Sequence, residues 1–192
     1  LVETLREDLC AGGSSAEEDL RRGLMHANDR ILEEARAHPL RKGMGTTATV
    51  LCIQERQARW AHVGDSRLYL YRQGSIRQVT RDHSYVEGLV SCGELTEAEA
   101  RNHPQRNMLL QAVGVEQDIQ VDTGSFSLQE EDILLLATDG LMNMVEDKAI
   151  EEMLRSFRES DNPQEDPARQ LVRLALEAGG NDNVTVIVVV CS

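Results

Sequence analysis

Aromatic residues are scarce in this chain: one Trp, three Tyr and two Phe in 192 residues, 3%. Rings cannot fill a core of this size, so it must be built mostly from Leu, Val, Ile, Ala and Met. Positive charge is short as well. Twenty Lys and Arg face 33 Asp and Glu, a formal net charge of −13. That balance argues against a nucleic-acid or anionic-membrane surface, although an acidic protein binds anions where metals line its site. No apolar run approaches the roughly 18 residues of a membrane span, and the start carries no signal-peptide pattern. A cytoplasmic protein is expected. The cysteines, Cys10, Cys52, Cys92 and Cys191, form no CxxC and have no His at zinc spacing, so reduced thiols are expected. The GxSxG, phosphate-loop and Cys-x5-Arg patterns are missing too, which sets aside the serine-hydrolase, P-loop and cysteine-phosphatase chemistries they serve.

What is present suits one sizeable domain, with 41% apolar and 28% charged residues. Ser15-Ala16-Glu17-Glu18 is a capping box. Leu20, Leu24, Ala27, Ile31 and Ala35 follow on one helical face, predicting a helix over 16–37. A loop around Pro39, Gly43 and Gly45 leads to short strands: "TTATVLCI", "ARWAHVG", "RLYLYRQ" and "SIRQVT", the last two joined as a hairpin at Gln73-Gly74. "SYVEGLVSCG" reads as a short helix, and Thr96-Glu97-Ala98-Glu99 caps another. "IQVDTGSFSL" and "DILLLATDG" are further strands. A helix at about 147–157 has an acidic face expected in solvent. Asp166-Pro167 opens the last helix and Gly179 ends it. The polar stretch Arg158 to Asp166 reads as a surface loop. This order lacks regular βαβ alternation, so layered α+β is expected rather than a doubly wound parallel sheet.

Two carboxylates stand out. Asp139 ends "ILLLATDG". Asp182 precedes "VTVIVVV", whose apolar β-branched run from Val184 to Val190 reads as a strand buried on both faces. If these strands are antiparallel neighbours, the carboxylates meet at one sheet edge. Paired anions there either share a proton or hold a cation. Oxygen ligands without His or Cys suit Mg²⁺ or Mn²⁺. On spacing alone each Asp reads equally as a turn or cap residue. Asp65 in "HVGDSR" reads as a turn or buried structural residue, and Asp82 in "TRDHS" as a candidate N-cap. His62, His83 and His103 form no ligand spacing. The glycines of "GMGTT" read as close-packing or turn positions.

Taken in order, "GMGTTATV", "AHVGDSRLYLYRQG", "VTRDHSYVEGLV", "LTEAEARNHPQRNMLLQAVG", "DILLLATDGL" and "GGNDNVTVIVVV" resemble the type-2C metal-dependent protein phosphatases of the bacterial serine/threonine class. The resemblance covers Gly43 to Val190 closely and the first helix loosely. It implies an α+β fold of four αββα layers, a β-sandwich flanked by helices, with a two-metal Mg²⁺ or Mn²⁺ centre at the sandwich edge. It implies that Asp139 and Asp182 are metal ligands acting through a metal-activated water. Asp82 would help hold a more weakly bound third metal together with Asp139. A flap lies at about 86–107. Asp65 sits in a shared motif but is not a ligand. The implied activity is hydrolysis of phosphoserine and phosphothreonine in proteins, with a phosphorylated protein as partner and an opposing Ser/Thr kinase.

The family also opens with two strands that supply a phosphate-binding arginine, an early metal aspartate and a second Asp-Gly. The only Asp-Gly here is Asp139-Gly140, and Asp8, Asp19 and Asp29 lie in or near helical sequence. The expectation is one phosphatase-like domain over 1–192, truncated at its N-terminus and without those strands. On that expectation Leu1 to Ser192 alone has negligible activity, and either pairs through an exposed edge or needs a further segment. The rival readings are a non-catalytic phosphatase-like binding or regulatory module and a sporulation-type regulatory phosphatase.

Overall fold

A computed structural model describes residues 16–160 and 166–192. The helices in chain order are α1 (Ala16–Ala37), α2 (Tyr85–Ser91), α3 (Glu97–Arg101), α4 (Asp139–Met142), α5 (Asp147–Glu159) and α6 (Pro167–Glu177). The strands are β1 (Ala48–Gln54), β2 (Gln57–Val63), β3 (Arg67–Arg72), β4 (Ser75–Gln78), β5 (Asp122–Ser127), β6 (Ile133–Ala137) and β7 (Val186–Val190). The chain divides into two compact units interleaved in sequence. One takes the chain up to Asp65 with Asp82–Ser127, the other Ser66–Arg81 with Leu128–Ser192. Each unit holds one antiparallel sheet with helices, as the α+β expectation requires.

In the first unit, α1 has the expected bounds, while Ser15 of its predicted capping box lies outside the described residues. Glu17, Glu18 and Asp19 in its first turn and Arg36 in its last complement the helix dipole. Leu20, Leu24 and Ala27 are fully buried on one face. The two leucines pack with Ala61, Val63, Val113 and Val121, and each is worth about 1.5–3 kcal/mol of apolar burial. The loop after α1 begins with a 3-10 turn at Pro39–Arg41. The sheet order is β1-β2-β5, with Ala48 opposite Val63 and Ala61 opposite Thr123. Gly45 serves close packing: a Cβ there would lie 2.5 Å from Val115 Cγ2.

In the second unit the order is β4-β3-β6-β7. Tyr69, Leu135 and Val188 share one row across three strands. That face packs on α4, α5 and α6 through Leu141, Ile150, Leu154, Leu171 and Ala175. Gln73 and Gly74 both have positive φ, 51° and 82°, as a two-residue type I′ hairpin needs. Asp166 caps α6 by accepting from Ala168 N–H at 2.8 Å, with Pro167 in the first turn.

Two expectations are corrected. The last strand starts at Val186, not Val184, and it is not buried on both faces: Ile187 is 54% and Val190 42% exposed. It is the outer strand of its sheet, with β6 as its neighbour, and an apolar run does not reveal how many neighbours a strand has. The acidic face of α5 is not wholly solvated either. Tyr69 Oη donates to Asp147 Oδ1 at 3.2 Å, and Ile76 N–H donates to Glu151 Oε2 at 2.9 Å. These bonds tie α5 to the β3–β4 hairpin.

Beside the start of β6, Asp132 is 1% exposed. It accepts from Arg72 Nε at 2.8 Å, from Arg72 Nη2 at 2.7 Å and from Gln129 N–H at 2.7 Å. Burial pushes this carboxyl up, but the Arg72 and Gln129 bonds outweigh it and hold it below its ordinary value. A depressed folded pKa stabilises above the unfolded value, near 3.9, and that stabilisation is lost as pH falls through the folded value. Asp132→Asn should therefore cost about 2–3 kcal/mol at pH 7. The gap to wild type should start to narrow below about pH 4 and close as pH falls through the folded value. Urea unfolding of both proteins at pH 7 and pH 3 checks this, and a pH-independent gap would refute it.

Candidate functional site

β6 and β7 are antiparallel neighbours, with Ala137 opposite Val186. Thr138 carries the pairing one step further. Its N–H donates to Thr185 O at 3.1 Å, its Oγ1 accepts from Thr185 N–H at 3.0 Å, and its hydroxyl donates to Asn183 O at 3.4 Å. The chains then converge. A Cβ built on Gly140 would lie 2.3 Å from Asn183 O and 3.0 Å from Asn183 C. Gly140 has no positive φ, so glycine is required here by backbone approach rather than by its own conformation. Asp139 directly precedes Gly140, and Asp182 directly precedes Asn183. The two carboxylates thus sit on touching backbone segments at one end of the sheet.

Their local contacts differ. Asn143 Nδ2 donates to Asp139 Oδ2 at 3.4 Å, and Asn183 N–H donates to Asp182 Oδ1 at 2.7 Å. Asp139 is half-buried at the start of α4, whereas Asp182 is exposed in its loop. The donors are oxygens, the type that hard divalent cations take. Their number is small: among the described residues no three or more His, Cys, Asp or Glu gather as a metal cluster. The pair fits a Mg²⁺ or Mn²⁺ centre by donor chemistry and supplies part of the coordination that octahedral cations need.

Asp82 belongs to the first unit, in the loop ahead of α2. Its alternative reading as the cap of that helix does not hold, because Ser84 Oγ accepts from Glu87 N–H at 3.3 Å. The segment expected to be a flap carries α2 and α3. Thr96 and Glu99 form the predicted capping box. The base of the segment is closed by Tyr85 N–H to Met108 O at 2.9 Å and Leu110 N–H to His83 O at 2.7 Å.

Sequence reasoning missed two features. Thr138 reads as an ordinary strand residue, and only its position directly before Asp-Gly hints at a stitching role. His62 and His83 pack with ring centroids 4.9 Å apart, yet lie too far apart in sequence to suggest a pair.

Residues 4–87 match the family described as Protein phosphatase 2C, and residues 95–191 the family described as Stage II sporulation protein E (SpoIIE). Protein phosphatase PhpP of Streptococcus pneumoniae is 45% identical over 148 residues, a match spanning 77% of this chain but 58% of that protein's length. The solved serine/threonine phosphatase PstP/Ppp of Mycobacterium tuberculosis aligns with a TM-score of 0.86 at 31% identity, over 99% of this chain and 80% of that one. A catalytic domain of serine threonine protein phosphatase PstP, solved in complex with two manganese ions, aligns with a TM-score of 0.83 at 28% identity, over 99% and 80%. With these matches added to six motifs in order, this chain belongs to the protein phosphatase 2C family.

Proposed function

We propose that this chain is a metal-dependent phosphoprotein phosphatase acting on phosphoserine and phosphothreonine, with Asp139 and Asp182 as ligands of the central Mg²⁺ or Mn²⁺ pair. Asp82 is proposed as the carboxylate of a third, weaker cation site. Residues 1–192 act as one phosphatase-like domain with 86–107 as its flap. A Ser/Thr kinase opposes it and its place is the cytoplasm. Among the described residues no helix is long and apolar enough to cross a membrane. The observation that carries this reading is the contact of Gly140 with Asn183, which brings the two aspartate loops together.

The chain's own residues do three things there. Thr138 and Thr185 lock the ends of β6 and β7. Gly140 sets the spacing of the two loops. Asp139 and Asp182 present anionic oxygens, and the Asn183 N–H bond fixes the orientation of Asp182. Divalent cations, when bound, acidify water at the site and offset charge on the transferring phosphoryl group. No nucleophilic side chain is needed, so no covalent phosphoenzyme is expected.

The test is phosphate release from phosphoserine and phosphothreonine peptides, with Mn²⁺ and with a chelator. Release that requires Mn²⁺ supports the reading. Folded protein that binds two Mn²⁺ tightly and releases nothing supports the non-catalytic alternative. Two carboxylates supply few of the ligands that two cations need, so residues 1–192 by themselves should bind Mn²⁺ weakly and turn over negligibly. Calorimetry showing two tight sites would refute that. The match of 95–191 to the sporulation family favours a second reading, a regulatory phosphatase with one phosphoprotein partner. Activity on a broad set of phosphopeptides speaks against it.

A further inference from the structure

A closed hydrogen-bond circuit surrounds Gly64, just past the end of β2. Gly64 has φ +115°, and a Cβ there would lie 2.4 Å from Thr47 Cγ2, so only glycine fits without strain. Its carbonyl accepts from His83 N–H at 2.7 Å and from His62 Nε2 at 3.0 Å. Its own N–H donates to His83 Nδ1 at 3.3 Å. These bonds fix the tautomers. Nδ1 of His83 is an acceptor, so its proton sits on Nε2 and is donated to Asp122 Oδ2 at 3.1 Å. His62 is fully buried. Burial first, and then the neighbouring His83, bring its pKa down to about 4, while Asp82, the Gly64 bond and Asp122 offset only part of this. His62 is therefore neutral and donates from Nε2, and its Nδ1 accepts from Thr49 Oγ1 at 2.9 Å.

His83 thus uses its N–H, its C=O and both ring nitrogens. They join three places: the end of β2 through Gly64, the start of β5 through Asp122, and the flap exit through Leu110. Asp82 is the preceding residue, and the flap base closes at the following ones. We propose that His83 is a positioning residue which, through Gly64 and Asp122, fixes both the Asp82 carboxylate and the base of the flap. The effect on turnover rests on the phosphatase reading above; the anchoring of the flap base does not.

Amide hydrogen exchange and phosphopeptide kinetics together test it in His83→Ala, Asp122→Ala and Asp122→Asn. In His83→Ala the Tyr85 and Leu110 amides should exchange about tenfold faster or more. The Thr46 and Val113 amides, which pair with each other's carbonyls, should not change. In a complete protein the kcat should fall by about 10- to 100-fold and more Mn²⁺ should be needed, while KM for the phosphopeptide changes little. Asp122→Ala should reproduce part of the loss. Asp122→Asn keeps an acceptor for Nε2–H and should restore it, which mere packing does not predict. Ring ¹⁵N shifts of the wild-type protein should report Nε2–H on His83. Unchanged exchange at Tyr85 and Leu110, or a His83 proton on Nδ1, overturns the proposal. If His83→Ala does not fold, the Asp122 pair decides on the same readouts. Absence of activity in a complete protein, with the remaining metal ligands present, counts against the phosphatase reading alone, and exchange still decides the anchoring.

Discussion

Gly140→Ala is expected to remove about 2–4 kcal/mol of stability and most of the activity in one step. The added methyl would meet Asn183 O at 2.3 Å. The atom it meets is backbone and cannot rotate aside as a flexible side chain could. Relief requires the 181–184 loop to move away from the start of α4. That movement carries Asp182 from Asp139 and pulls on the Thr138–Thr185 bonds, each worth about 1 kcal/mol. Overpacking of this kind typically costs about 1–3 kcal/mol by itself. Gly88→Ala is the matched control. Gly88 lies inside α2 without a positive φ, and a Cβ added there would meet nothing within 4 Å, so alanine should be neutral or stabilise by about 0.5–1 kcal/mol. Thermal unfolding of both variants, and phosphopeptide turnover of both in a complete protein, give the comparison. A Gly140→Ala protein with wild-type stability and turnover would show that the backbone contact does not set the geometry of the pair.

The features legible in the sequence are those decided within a few residues. The bounds of α1 follow from its apolar period, and the β3–β4 turn from Gln73-Gly74. The cap of α3 follows from Thr96 and Glu99, and the start of α6 from Asp166-Pro167. Each rests on local hydrogen bonds or local φ, so tertiary packing has little to overrule. Where neighbours decide, the reading failed. Val186 to Val190 has the composition of a central strand, but its position at the sheet edge leaves Ile187 exposed. Asp82 reads as a cap, but the structure uses Ser84, two residues on. Asp147 and Glu151 looked solvated because their donors, Tyr69 and Ile76, lie far away in sequence. The candidate site falls between these cases. The buried run of β6 and the polar turn before β7 flagged Asp139 and Asp182, but their meeting depends on the antiparallel pairing of the two strands. The Gly64–His83–Asp122 circuit was invisible because its members pair across sequence separations of 19 and 39 residues.

Among side-chain changes in a complete protein, with the remaining metal ligands present, Asp139→Ala and Asp182→Ala should have the largest effects, and Asp82→Ala a smaller one. Each of the first two removes an anionic oxygen donor from a pair that has no third carboxylate beside it among the described residues. Metal-based charge stabilisation is worth several kcal/mol in reactions of this class. At 1.36 kcal/mol per decade, turnover should fall on the order of a thousandfold or more. The fold should survive both changes, since Asp182 is exposed and the bond Asp139 receives from Asn143 is long, at 3.4 Å. Circular dichroism and unfolding midpoints close to wild type would separate loss of chemistry from loss of structure. Asp82 is proposed for a weaker, third cation site, so its removal should lower kcat and raise the Mn²⁺ needed while leaving binding at the central site in place. Calorimetric Mn²⁺ titration beside phosphopeptide kinetics distinguishes the three variants. Near wild-type turnover in Asp139→Ala or Asp182→Ala would remove these residues from the mechanism. A loss in Asp82→Ala as deep as in the other two, with central metal binding also gone, would mean that Asp82 is a ligand of the central pair and not of a separate weaker site.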